Sequence, residues 1–191
     1  MAIFLGATLE DARAIIGRYP VEHQRSAIMP LLYLAQSVEG MIGQGALREI
    51  GVLLDITTAE VEAVASFYTM YRMRPTGEHV VAVCTNLACK LRGAQAVADA
   101  AREAAGIGHG EEISADGVFT VHEEECLGVC DFAPVVQVNV CNHDNVTPDR
   151  VRELIARLRA GDVPAPARGP AFASFRAASR ALAGLEEVAS S

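Results

Sequence analysis

Cys84-Thr85-Asn86-Leu87-Ala88-Cys89, a C-x4-C pair, is separated by 36 residues from Cys126-Leu127-Gly128-Val129-Cys130, a C-x3-C pair. Each pair stands where a stretch of strand character runs into a loop. Four thiolates arriving from two loops can enclose a metal centre. The spacing favours an iron–sulfur cluster, because structural zinc pairs are most often C-x2-C. A C-x4-C loop also leaves room for the backbone to wrap a diamond of two irons and two sulfides. A [2Fe–2S] centre in a chain of this size points to one-electron transfer. A zinc-stapled interaction module, unligated core cysteines and disulfides are the other readings of the same residues. Residues Met1 to Leu5 lack a positive n-region, and Glu10 and Asp11 follow soon after, so no secretory signal is expected. Thiols in a reducing compartment then suggest metal or redox chemistry. Cys141, the fifth cysteine, stands alone after a strand and reads as a spectator.

Around the two pairs the pattern alternates strand and helix. His79 to Val83 is a short buried strand. A helix after Cys89 carries Ala94, Val97, Ala98 and Ala101 and ends at Gly106. Asp116-Gly117 is a hairpin signal between 111–114 and 118–122. Residues 133–140 form a further strand. Thr147-Pro148 supplies an N-cap and an N1 proline for a helix over 149–159. The order β-α-β-β-α describes a compact thioredoxin-like core. Its cluster is expected at one end, where the loops after the first strand and before the last strand meet.

Upstream the chain is helical. Thr8-x-x-Asp11 resembles a capping box and opens a helix through Arg18. Ser26 caps a second helix with Ile28, Leu31, Leu32, Ala35 and Val38 on one face, and Pro30 confines its start to near Ser26. A third helix covers 46–54. Thr57-x-x-Glu60 is a better capping box, opening a fourth helix whose stripe is Val61, Val64, Ala65, Tyr68 and Tyr71. Those aromatics read as core or interface. Pro75-Thr76-Gly77 marks a boundary. Downstream, Val163-Pro-Ala-Pro-Ala-Arg-Gly-Pro170 reads as an extended linker. Beyond it Phe172, Phe175, Leu182 and Leu185 share one helical face, a helix expected to fold only against a partner or the chain's own bundle, with a disordered tail as the alternative.

The expected fold class is therefore α+β: an N-terminal helical bundle over residues 1–75, then a thioredoxin-like α/β domain over 78–160. Residues 161–191 form a linker and a candidate amphipathic C-terminal helix. The 191 residues carry 51% apolar side chains, enough for a real core, and no apolar run approaches a membrane span. A net charge of −8 with a single lysine, Lys90, argues against nucleic acid as a partner. The scattered arginines suit protein–protein ion pairs. Gly106-Ile-Gly-His-Gly110 lacks the spacing of a dinucleotide loop and follows a helix, so it reads as a linker. His122 and His143 lie nearest the cysteines, but four cysteines make a Rieske-type site unnecessary. With no C-x-x-C anywhere, a thiol–disulfide oxidoreductase is disfavoured. Glu123-Glu-Glu125 adds negative charge beside the second pair. Gly128 lets the loop backbone close on sulfur, where N–H donors act in the opposite sense on a cluster's potential.

The segments Val83–Gly93 and Glu125–Asn139 resemble the two cluster loops of the thioredoxin-like [2Fe–2S] ferredoxin subunits of NADH:quinone oxidoreductase, respiratory complex I. Arg18-Tyr-Pro20 with Ser26-Ala-Ile-Met-Pro-Leu-Leu32, and Ala65-Ser-Phe-Tyr-Thr-Met-Tyr71, are similar to that family too. The resemblance covers about residues 12 to 160. It implies that Cys84, Cys89, Cys126 and Cys130 hold the cluster. It implies single-electron exchange with FMN in an adjoining flavoprotein subunit, and a large iron–sulfur subunit as a further partner. The chain would then be an oxidoreductase subunit with no acid–base catalytic residue, no NADH site and no membrane insertion of its own. It would lie peripherally on the cytoplasmic side of the membrane. The same subunit type in an NAD-reducing hydrogenase or an NAD-dependent formate dehydrogenase is the alternative. One departure is Cys141-Asn-His143, where the family often carries acidic or aromatic residues.

Overall fold

The computed structural model describes residues 2–185. It divides into two compact units: one built from residues up to Pro75 together with those from Arg176, the other from Thr76–Phe175. The expected α+β fold class, helices first and a mixed sheet after, holds.

The first unit is helical: α1 (Gly6–Ile16), α2 (Ile28–Glu39), α3 (Gln44–Leu54) and α4 (Thr58–Phe67). Its centre is α2, which buries Ile28, Leu31, Leu32, Tyr33, Leu34, Ala35 and Gln36. A helix apolar on so many sides belongs inside a bundle rather than on its surface. A 3-10 turn over Val21–Ala27 precedes it, so α2 begins at Ile28 and not at Ser26, and Pro30 still falls in the first turn. The one polar side chain buried in α2 is fully used. Gln36 Nε2 donates to Met70 O (3.2 Å) and Ser179 Oγ (3.1 Å), and Oε1 accepts from Arg72 N (2.7 Å). The Thr57/Glu60 capping box forms in both directions. The Thr8 box does not: α1 starts three residues earlier, behind Leu5, with no side-chain cap. Helix α4 stops at Phe67, so Tyr71 reaches the core through a turn, its hydroxyl donating to Met29 O at 3.2 Å, while Tyr68 is partly exposed.

The second unit holds β1 (His79–Cys84), α5 (Leu87–Leu91), α6 (Ala94–Ala105), β2 (Phe119–Glu124), β3 (Val136–Val138), β4 (Cys141–His143) and α7 (Pro148–Arg159). The sheet order is β2-β1-β3-β4, with β1 parallel to β2 and antiparallel to β3, and β3 antiparallel to β4. All six residues of β1 are buried, as a central strand requires. Val81, Val83, Phe119, Val121, Val136 and Val138 pack with Val97, Ala98 and Ala101 of α6 and Val151, Leu154, Ile155 and Leu158 of α7. The sequence reads a loop up to Cys89 and one helix after it; instead a short α5 begins at Leu87 within the loop, and Gly93, at φ +88°, separates it from α6. The Asp116-Gly117 turn forms, but its first arm contributes only a single bridge, Ile113 to Thr120.

The strand expected over 133–140 is two strands folded on a two-residue turn. Asn139 (φ +47°) and Val140 (φ +70°) connect β3 to β4, with Val138 opposite Cys141. Positive φ at both central positions is the type I′ requirement, for which Asn-Gly is the usual pair. A β-branched residue there is strained. Val140→Gly is therefore expected to raise stability by about 0.5–1 kcal/mol, the relief of left-handed strain less the extra chain entropy of glycine. Urea midpoints of the two proteins check this.

Residues after α7 run back along the edge strand β4. Ala167 N donates to Asn142 O (2.9 Å), Cys141 Sγ to Pro170 O (2.9 Å) and Asn139 Nδ2 to Phe172 O (3.3 Å). A proline-bearing segment along an edge strand blocks further pairing there. The last described helix, α8 (Phe175–Leu182), continues from it, and from Arg176 onward the chain belongs to the helical unit. There Arg176 donates to Val38 O (2.9 Å) and Glu39 O (3.1 Å), and Arg18 donates to Ala183 O (3.0 Å) and Gly184 O (2.9 Å). The sequence reading of this tail extends to residue 191, of which 186–191 lie outside the described residues.

Candidate metal centre

The sheet order brings the two cysteine loops together. Strand β1 lies between β2 and β3, so the connection over 125–135 must cross the C-terminal end of β1, where Cys84 is the last residue. The crossing is held on both sides: Thr85 N donates to Glu124 O (3.0 Å) and Cys84 N to Val135 O (3.1 Å). Arg92, just after α5, donates from Nε to Ala133 O at 2.8 Å and ties the first loop to the end of the second. Cys84, Cys89, Ala94, Val129, Ala133 and Val135 share one small apolar cluster.

The four sulfurs come as two pairs. Cys84 and Cys89 are buried; Cys126 and Cys130 are exposed. Burial first, then the hydrogen bond to Cys84, pushes the Cys89 thiol up to about 11, with the charges of Cys84 and Cys130 adding to it. The Cys130 thiol is raised chiefly by its hydrogen bond with Cys126, and Cys84 acts on it as well. Each pair is thus internally bonded, and the two feel one another. The raised Cys89 and Cys130 thiols hold their protons until a cation displaces them, so metal uptake here releases protons. Among the described residues, no three His, Cys, Asp or Glu side chains gather around the position of a single ion. A donor set in two pairs fits a two-iron cluster, which takes two thiolates at each iron.

The loop backbone suits sulfur ligation. Gly128 sits at φ +73°, and its N–H points at Cys126 Sγ at 3.4 Å. Cys84 Sγ lies 3.8 Å from Glu125 O. Negative charge is close by: Glu124 pairs with His122 at 3.6 Å, and Glu123 precedes it. Cys141 is buried and bonded to Pro170 O, and burial raises its thiol. His143, like Cys141, is in β4, and burial lowers its imidazole first, helped by Arg150.

Sequence reasoning missed three contributors. Asn86 caps α5 through Leu87 N (2.7 Å), a signal available in the Asn–Leu–Ala run. Asn145, at φ +50°, donates its N–H to Phe132 O (2.8 Å), and Arg168 stacks its guanidinium 5.0 Å above the Phe132 ring. Both act on the second cysteine loop from later in the chain, where no local pattern announces them.

Comparison with known proteins follows the same lines. The family model of thioredoxin-like [2Fe–2S] ferredoxins matches residues 12–159. The chain is 49% identical over 177 residues to an NADH-quinone oxidoreductase subunit of Mycobacterium bovis, covering 93% of this chain and 69% of that relative. It is 47% identical over 145 residues to an NADH-quinone oxidoreductase subunit of Thermus thermophilus, covering 75% of this chain and 80% of the relative. Among solved structures, an NAD+-reducing [NiFe]-hydrogenase superposes on 72% of this chain and 22% of its own, with a TM-score of 0.61 and 23% identity, a likeness of fold.

Proposed function

Because this chain belongs to the thioredoxin-like [2Fe–2S] ferredoxin family, we propose that it is the ferredoxin subunit of an NADH:quinone oxidoreductase, holding one cluster on Cys84, Cys89, Cys126 and Cys130. The observation that carries this reading is topological: the β2–β3 connection crosses the end of β1 and delivers one cysteine pair over the other. A [2Fe–2S] cluster, when bound, supplies a one-electron couple. The protein supplies position and electrostatics. Gly128 N–H toward Cys126 Sγ favours the reduced state by stabilising charge on sulfur, and Glu123–Glu125 oppose it. The partners are an FMN-binding flavoprotein subunit and a large iron–sulfur subunit. FMN lies in the former, exchanging single electrons with this chain.

Residues 1–75 serve as a docking domain, 78–160 as the cluster domain and 161–191 as the tail. Val52 and Phe67 are 83% and 77% exposed on the helical unit, and Leu87 and Leu91 are 70% and 79% exposed beside Cys89. Such apolar surface is suited to burial by another subunit. No described helix is long and apolar enough to cross a membrane, so attachment to the cytoplasmic face runs through the complex. The relatives at 49% and 47% identity favour the quinone-reducing assembly over the hydrogenase, whose likeness is of fold.

The purified chain is expected to be red-brown, with equal iron and acid-labile sulfide and an EPR signal after dithionite. NADH alone should leave the visible bands unchanged, because a hydride donor gives two electrons and the chain has no flavin to divide them. Exchange with NADH should appear once the flavoprotein subunit is added. A colourless, zinc-containing protein, or bleaching by NADH without the flavoprotein, would overturn the proposal.

A further inference from the structure

The tail beyond residue 159, where the family match ends, places one cation on the second cysteine loop. Arg168 stacks over the Phe132 ring at 5.0 Å and forms an ion pair with Asp144. Phe132 closes the 3-10 turn that begins at Cys130. Its carbonyl accepts from Asn145 N (2.8 Å), and Val146 N donates to Pro134 O (2.9 Å). The 144–146 turn is itself fixed from α7, because Arg150 Nη1 donates to the carbonyls of Asp144 and Asn145, each at 3.2 Å. Arg168 therefore joins the cysteine loop to an anchored turn through two different side chains. The arginine is not on a free arm. Ala167 N and the Pro170 carbonyl are bonded to β4 on either side of it, and Pro166 and Pro170 restrict the backbone between.

We propose that Arg168 is a positioning residue for the cluster: by bridging Phe132 and Asp144 it holds the Cys126–Phe132 loop in place and keeps a positive charge beside the Cys130 end. This rests on the assignment of Cys126 and Cys130 as ligands. A planar guanidinium can stack and ion-pair at once, whereas an ammonium keeps the charge but not the fork.

The test uses the full holo chain with Arg168→Gln, Arg168→Lys and Phe132→Leu. In Arg168→Gln, amide exchange over residues 126–132 should rise several-fold, iron loss to a chelator should quicken several-fold, and the reduction potential should move to more negative values. Arg168→Lys should restore the potential while exchange stays fast. Phe132→Leu should raise exchange likewise, with the double variant no worse than either single one. The proposal is overturned if exchange or potential in Arg168→Gln stays at the parent value, if Lys fails to restore the potential, or if the double variant is additive. Exchange over 126–132 can be read without any cluster, so a parent chain that binds no iron would defeat the ligand assignment separately from the bridge.

Discussion

Cys126→Ala is expected to abolish the cluster completely: no visible bands, iron at background and no EPR signal after dithionite. Cys141→Ser is expected to leave all three at parent level. The contrast follows from where each sulfur sits. Four thiolates saturate two tetrahedral irons, so loss of one leaves an iron open to solvent and chelation. Cys126 is exposed, and its replacement removes little packing. Far-UV circular dichroism should therefore stay close to that of the metal-free parent, separating cluster loss from unfolding. Cys84 and Cys89, at 2% and 1% exposure, would confuse the two, because truncation there also opens the core. Cys141 is buried too, but its thiol is spent on Pro170 O at 2.9 Å, in edge strand β4, which pairs with β3. A full cluster in Cys126→Ala, or a lost one in Cys141→Ser, would defeat the ligand assignment.

What could be read from the sequence is what rests on near neighbours. The Thr57/Glu60 box and the Thr147-Pro148 start each depend on atoms within three residues, and both form. The cysteine spacing marks two loops at strand ends, and the strand pattern alone places them at one end of a thioredoxin-like core. What could not be read depends on distant partners or on rule-breaking residues. Thr8 has the form of a cap, yet Ile3 N and Phe4 N are taken by the Glu49 carboxylate at 3.0–3.1 Å, and the chain enters α1 earlier. The Asn139-Val140 turn was hidden because valine is a strand residue that here adopts positive φ. The tail's proline run reads as an extended linker, and its composition does not reveal its partners: its bonds go to Asn142, Cys141 and Asn139, at separations of 25 to 33 residues. Likewise α8 and the turn after it are held by partners from the other end of the chain, Asp11 on Arg180 and Arg18 on the Ala183 carbonyl. A short amphipathic helix gains its stability from packing of this kind and not from its own propensity.

Asn139→Ala is expected to cost about 3 kcal/mol, from an orphaned buried N–H at about 1–3 kcal/mol and a left-handed alanine at about 1 kcal/mol. Asn139 is 1% exposed. Its Oδ1 accepts from Val80 N (3.0 Å), and its Nδ2 donates to His79 Nδ1 (3.1 Å) and Phe172 O (3.3 Å). One side chain thus joins the central strand, the hairpin turn and the tail. Asn139→Gly relieves the backbone but not the lost bonds, so it should fall between parent and alanine variant. The same network sets an acid dependence. Burial holds the His79 imidazole below its usual range, against the pull of Glu78, and the amide donor keeps Nδ1 unprotonated. Below the unfolded value of about 6.5 the unfolded chain binds the extra proton first. The stability due to neutral His79 is therefore complete above that pH and is lost as pH falls through the lower folded value. Asn139→Asp reverses the logic, because a carboxylate oxygen would replace the Nδ2 donor and face Nδ1. Protonated His79 then becomes the better partner. The variant should recover stability relative to the parent as pH falls below about 6.5, and NMR titration should show the His79 value raised. Urea midpoints near pH 8 and pH 5 would decide it: an Asn139→Ala protein within the error of the parent, or an Asp variant that weakens in acid in parallel with the parent, would show that this side chain does not hold the turn, the strand and the tail together.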